Sequence, residues 1–107
     1  MRTLPILPTE GRSDDRREQP RHSVLFRTVL IDSEIEGEPT EVINIARLGF
    51  LARTPMQLEK GSQVRLNMPV LGQLDAVVVW CGNGLLGGRF AKPIGEAAFA
   101  RLLQSLA

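Results

Sequence analysis

The sequence predicts a mainly β protein: a small six-stranded antiparallel β-barrel with a C-terminal helix and a flexible N-terminal arm. Six short segments rich in β-branched and apolar residues follow one another over about 70 residues, separated by turn signals. The end of the chain changes to a helical period, and the beginning has no sustained period. The chain has 107 residues, a length typical of one domain.

The predicted boundary lies near the start of the β pattern, with residues 1–15 as the arm and residues 16–107 as the folded domain. Residues 1–20 contain three of the seven prolines and mix Gly, Ser and charges of both signs. Such a composition is typical of a segment that does not bury a core.

The first three strands are predicted from composition and turn residues. From Ser23 the sequence SVLFRTVLID is rich in β-branched and large apolar residues. An acidic turn over residues 33–39 follows, and TEVINIA forms a second strand that ends near residues 44–46. A short third strand, FLAR, comes after Gly49. The first-strand residues predicted to share one face are Val24, Phe26, Thr28 and Leu30.

The next three strands follow a long connection, TPMQLEKGS, which includes a turn at Gly61. QVRLNM alternates with period two, so Val64, Leu66 and Met68 should share one covered face. LDAVVVW is almost wholly apolar and is predicted to be more buried, with Trp80 in the core. CGNG is a strong hairpin turn that leads into the sixth strand, LLGGRF.

The C-terminal helix is predicted to begin soon after Pro93 and to pack on the barrel. Its apolar residues recur at the spacing of one helical face. They are Phe99, Leu102, Leu103 and Leu106.

Composition argues against catalysis and against a metal site. The chain has one histidine and one cysteine, too few for a nucleophile with its base or for a zinc site. We therefore expect no enzyme, no metal and no cofactor. His22 is predicted to be a solvated residue at the mouth of a strand, and Cys81 a small hydrophobe.

Charge and hydropathy predict a cytoplasmic protein that does not insert into a membrane. The net charge is +1, and no apolar stretch approaches the roughly 20 residues that span a bilayer. A single cysteine allows no internal disulfide, which fits a reducing compartment. Eleven of the thirteen basic residues are arginine, the side chain best suited to phosphates and base edges, so the chain is a candidate for nucleotide recognition.

Two short motifs contain the residues that are candidates for binding a nucleotide. Arg17 and Arg21 lie four residues apart just before the first strand, and Asn44-Ile45-Ala46-Arg47-Leu48-Gly49 lies between strands two and three. In this order and separation they resemble the RxxxR and [D/N]xSxxG signatures of the PilZ domain family. The resemblance covers about residues 16–107 and extends to Trp80, to the GRF of the last strand and to the C-terminal helix.

PilZ domains bind the bacterial second messenger cyclic di-GMP, so the resemblance implies this ligand and a bacterial signalling role. It assigns the ligand to the two motifs, whose residues here are Arg16, Arg17, Arg21, Asn44, Ala46 and Gly49. Arginine can offer two donors to a guanine edge, stack on its ring and bond a phosphate. Asparagine can bond a guanine edge or fix the loop, and glycine permits close approach of the backbone.

The sequence departs from the family pattern at Ala46, which stands where the motif has serine. The missing hydroxyl would remove a bond to phosphate worth roughly 1.5 to 3 kcal/mol, or about one to two orders of magnitude in affinity. Weaker binding is therefore expected, unless a neighbouring group compensates.

The sequence thus predicts a cyclic di-GMP receptor that signals to an unidentified partner protein when the ligand orders the Arg-rich N-terminal segment. One alternative is a PilZ-like protein-interaction module that does not bind the nucleotide. A barrel for single-stranded nucleic acid is disfavoured, because the chain has no tyrosine and the charges after residue 23 sum to zero. We expect no DNA or RNA partner.

Overall fold

The structure is a computed structural model that describes residues 21–32 and 37–107. Within these ranges it is a closed, six-stranded antiparallel β-barrel with one C-terminal helix, so the predicted fold class is confirmed. The predicted arm and two of the predicted ligand residues, Arg16 and Arg17, lie outside the described residues. The elements are β1 (His22–Asp32), β2 (Glu38–Ile45), β3 (Gly49–Arg53), β4 (Gln63–Met68), β5 (Gly72–Gly82), β6 (Leu85–Phe90) and α1 (Glu96–Leu106).

The strands follow the order β1-β2-β3-β6-β5-β4 around the barrel, and β4 pairs back with β1. Four of the neighbouring pairs join strands that are consecutive in the chain. The other two are β1 with β4 and β3 with β6, where Gly49 lies opposite Arg89. Closure leaves no unpaired edge among the described strands.

Alternation along the strands builds the core, as predicted. Val64, Leu66 and Met68 of β4 are buried while the residues between them are exposed. In β1, Leu30 is buried, and the other three predicted inward residues are more covered than their neighbours. The fully enclosed core residues are Leu30, Val42, Ile45, Ala52, Leu66, Leu86 and Leu102.

A register shift in β5 overturns the prediction that Trp80 belongs to the core. Val78 pairs with Gly88 and Trp80 pairs with Gly87. Val79, between them, is therefore an extra residue with no partner on β6. A bulge of this kind changes which side chains face outward. Val79 and Trp80 are 40% and 46% exposed, and LDAVVVW is not uniformly buried.

The turn between β5 and β6 is the predicted tight hairpin. Asn83 and Gly84 both adopt positive φ, at 57° and 80°. Two consecutive left-handed residues are the requirement of a two-residue turn whose twist matches the strands.

Helix α1 packs near the end of the barrel where β1 begins. Phe99 and Leu102 are buried on its inner face, while the predicted Leu103 and Leu106 are partly buried against the same core. The ring of Phe99 lies 5.5 Å from that of His22, edge to face. His22 is therefore half-buried against the helix, and the prediction of a solvated histidine is wrong because α1 covers it. The described part of the chain contains no helix long and apolar enough to span a membrane.

Candidate functional site

The loop between β2 and β3, residues 46–48, is held in place by backbone hydrogen bonds. The Ala46 N–H donates to the Gly49 carbonyl at 2.8 Å, and the Phe90 N–H donates to the Leu48 carbonyl at 2.8 Å. The second motif is therefore fixed against the end of β6.

Gly49 is required by the close approach of β6. A Cβ built on Gly49 would overlap the backbone carbonyl oxygen of Gly88, which cannot move without breaking the sheet. The pairing of β3 with β6 is therefore sufficient reason for a glycine at this position, and its predicted role toward a ligand stays a prediction.

An open groove of about 340 Å³ lies on the outer face of the barrel where β3, β6 and β5 meet. We call it the Trp80 groove. It contains one residue from the first motif, Arg21, and two from the second, Ala46 and Gly49. The structure thus brings together three of the six predicted ligand residues. The other main lining residues are Leu48, Leu51, Trp80, Gly87 and Arg89.

Asn44 lies on the same outer face, one strand beyond the groove. It pairs with Leu51, which pairs with Gly87, which pairs with Trp80. Directly opposed residues share one face of a sheet. With strands about 4.8 Å apart, the row from Asn44 to Trp80 spans about 14 Å.

Sequence reasoning did not assign Trp80 and Arg89 to the site. Arg89 pairs with Gly49 and is exposed on the groove. The signal for this region was the pair Gly87-Gly88, because glycines inside a strand mark a place where another group approaches closely. The bulge that turns Trp80 outward had no comparable signal.

The groove carries positive charge that the described residues do not neutralise. Neither Arg21 nor Arg89 forms an ion pair with any described residue. By contrast, the arginines at positions 47, 53 and 65 are each paired with a carboxylate. An anion in the Trp80 groove would meet two guanidinium groups and no competing carboxylate from the described part of the chain.

Arg47 belongs to the second motif but does not line the Trp80 groove. Its Nε donates to the Ile94 carbonyl at 2.7 Å, and its guanidinium lies 3.6 Å from Glu96. The Ile94 N–H in turn donates to the Arg47 carbonyl at 2.9 Å. Arg47 therefore ties the β2–β3 loop to the start of α1 and is not available to replace the hydroxyl missing at Ala46.

Two other surface depressions lack these features. One, of about 440 Å³, is bordered by Ile31, Asp32, Arg65, Asp75 and Ala91, and we call it the Asp75 groove. The other lies beside the loop after β3, where the half-buried Cys81 packs on the core and contacts the Met56 carbonyl. The described residues hold no cluster of three His, Cys, Asp or Glu side chains that would bind a metal ion.

Comparison with models of known protein families gives no match, and comparison with curated proteins gives no relative. The resemblance to PilZ domains therefore depends on the residues and the fold described above.

Proposed function

We propose that the chain is a PilZ-like domain that binds cyclic di-GMP in the Trp80 groove and signals to an unidentified partner protein through its Arg-rich N-terminal segment. The observation that carries this proposal is the meeting of Arg21 with Ala46 and Gly49 in one groove. Two motifs that are separate in sequence contribute to one surface, as a ligand that contacts both would require.

The charge of the groove fits a cyclic dinucleotide. Cyclic di-GMP carries two phosphodiester groups, and Arg21 and Arg89 supply two guanidinium groups that no described acid neutralises. Charge-assisted bonds of this kind are about twice as strong as neutral ones. Trp80 supplies the aromatic surface that nucleotide sites commonly contain.

The proposal includes the two arginines that precede Arg21 in the ligand-binding segment. Arg17 is four residues from Arg21, and four residues of extended chain span at most about 14 Å, a length comparable to the row from Asn44 to Trp80. The proposal keeps Arg16 and Arg17 as anchors for the ligand. Binding would then fix the segment that carries them and create the surface that the partner reads.

Ala46 limits the affinity. It is buried, at 7% exposed, and lines the groove, but its methyl group donates no hydrogen bond. Because Arg47 is bonded to Ile94 and Glu96, the compensation would have to come from backbone N–H groups or water.

Calorimetric titration tests the proposal. Cyclic di-GMP should bind with saturation, whereas GTP and cyclic di-AMP should bind much more weakly. Arg65→Ala is a matched control, because this arginine is exposed on another face and paired with Asp75. No heat of binding with cyclic di-GMP at high protein concentration would contradict the proposal.

A protein-interaction module that does not bind the nucleotide is the second candidate. It is favoured by the missing hydroxyl at Ala46 and by the exposed aliphatic residues Leu25 and Val29 on β1, at 69% and 42%. This candidate predicts no calorimetric response to any of the three nucleotides. Both candidates describe a binding protein without catalysis, metal or cofactor.

A further inference from the structure

The two consecutive glycines of β6 each accommodate one aromatic ring, on opposite faces of the sheet. A Cβ built on Gly88 would lie 2.5 Å from Cε1 and Cζ of Phe50, which is in the core. A Cβ built on Gly87 would overlap Nε1 of Trp80 and lie 2.9 Å from Cδ1 and Cε2. The indole therefore lies across the position that a side chain at residue 87 would occupy.

This contact leaves one side of the indole open. The ring covers the backbone of Gly87, which is buried, yet Trp80 itself remains 46% exposed and lines the groove. Since one side of the ring is against the sheet, the exposed area belongs to the side that faces the groove. Arg21 and Arg89 border the same space.

We infer that Gly87 is a positioning residue, whose lack of a side chain keeps the Trp80 indole flat on the sheet as a platform for one guanine base. This inference rests on the proposed function. A base stacked on an aromatic ring contributes about 5- to 150-fold in affinity. A methyl group at position 87 would lift the ring and remove this contribution.

The chain provides a clean readout and a matched control. Trp80 is the only tryptophan of the sequence, so intrinsic fluorescence reports on this ring alone. Gly82 lies in the neighbouring strand, and a Cβ there would meet nothing within 4 Å. Gly82→Ala therefore introduces the same methyl group without a contact.

The experiment compares Gly87→Ala, Gly82→Ala and the unchanged protein by tryptophan emission and by titration with cyclic di-GMP. We expect Gly87→Ala to change the emission maximum and to lower affinity about 5- to 150-fold. Gly82→Ala should change neither quantity. Far-ultraviolet circular dichroism checks that each variant keeps its β structure.

A second pair of variants tests the platform without touching the glycine. Trp80→Phe should retain most of the affinity, because phenylalanine still offers a ring, and Trp80→Leu should lose about as much as Gly87→Ala. If Gly87→Ala does not fold, these two variants still test whether the ring at position 80 contributes to affinity.

The outcomes separate the platform from the proposed function. Unchanged affinity in Gly87→Ala with a changed emission spectrum, or equal affinity in Trp80→Phe and Trp80→Leu, overturns the platform while the receptor function stands. No binding of cyclic di-GMP by the unchanged protein overturns the proposed function, and the platform with it.

Discussion

The Trp80 groove and the Asp75 groove lie on the outer surface of the same barrel but differ in their free charge. The Asp75 groove is the larger, at about 440 Å³ against about 340 Å³. Its arginine, Arg65, already donates to Asp75 at 3.0 Å, and Asp32 lies beside them. In the Trp80 groove, Arg21 and Arg89 have no carboxylate partner among the described residues.

The difference makes the Trp80 groove the better candidate for an anion although it is the smaller of the two. A phosphate at Arg65 would have to displace a carboxylate and tolerate a second one nearby, whereas a phosphate at Arg21 or Arg89 would displace no carboxylate of the described residues. A change in the Trp80 groove can therefore be compared with a matched change outside it, in the Asp75 groove or at another paired arginine.

The largest effect is expected at Arg21. Arg21→Ala should weaken cyclic di-GMP binding by roughly 30- to 1000-fold, because it removes a charge-assisted bond and a stacking surface together. Titration calorimetry measures the loss, and Arg65→Ala should leave the affinity unchanged. Equal losses in the two variants would show that general positive charge, and not the groove, attracts the ligand.

Arg89 should contribute less than Arg21, since it belongs to one strand and to neither motif. Arg89→Ala should lower affinity about 10- to 150-fold, the value of one charge-assisted hydrogen bond. Arg53→Ala serves as the control, because this arginine is exposed on the barrel and paired with Glu41 at 2.8 Å. An unchanged dissociation constant for Arg89→Ala would remove this residue from the site.

Ala46→Ser should increase affinity by about 3- to 30-fold. The hydroxyl adds a donor toward phosphate, but it replaces a water that can already bridge there, so the gain stays below that of a full charged bond. Ala91→Ser adds the same oxygen to the Asp75 groove and should have no effect. If Ala46→Ser binds no more tightly than the unchanged protein, either a backbone N–H group already bonds the phosphate or Ala46 does not face it.

The smallest predicted effect is a local change in the hydrogen exchange of backbone amides. On addition of cyclic di-GMP, amides of residues 16–22 should gain protection from hydrogen exchange, while those of β4, beside the Asp75 groove, should change little. Mass spectrometry of peptic fragments measures both regions in one experiment. Full protection of residues 16–22 before the ligand is added would contradict a switch by ordering.

Prediction from sequence succeeded where side-chain period decides the structure. Val64, Leu66 and Met68 face the core because alternation allows one covered face, and Asn83-Gly84 forms the predicted turn because few residues accept positive φ. The place of Gly49 at the start of β3 also agrees with the sequence, and the approach of β6 explains why this position has no side chain.

Prediction failed where one extra residue in a strand changes which of the following side chains face the core. In the run Val77-Val78-Val79, nothing in the sequence distinguishes the residue that is extra, so the outward turn of Trp80 could not be derived. Arg89 was not predicted either, because its position beside Gly49 depends on the long-range pairing of β3 with β6. For His22, the cause was a long-range contact with α1.

Under the proposed function, the pairing of Gly49 with Arg89 links ligand binding to folding. These residues lie 40 positions apart in the chain (49 to 89), so the groove forms only after a costly long-range closure of the barrel. An unfolded chain, or one in which only the local hairpins have formed, lacks this surface. Ligand at 100 times its dissociation constant should therefore stabilise the entire barrel by about 2.7 kcal/mol and raise its melting temperature. Conversely, any core substitution that opens the barrel weakens apparent affinity without touching the groove.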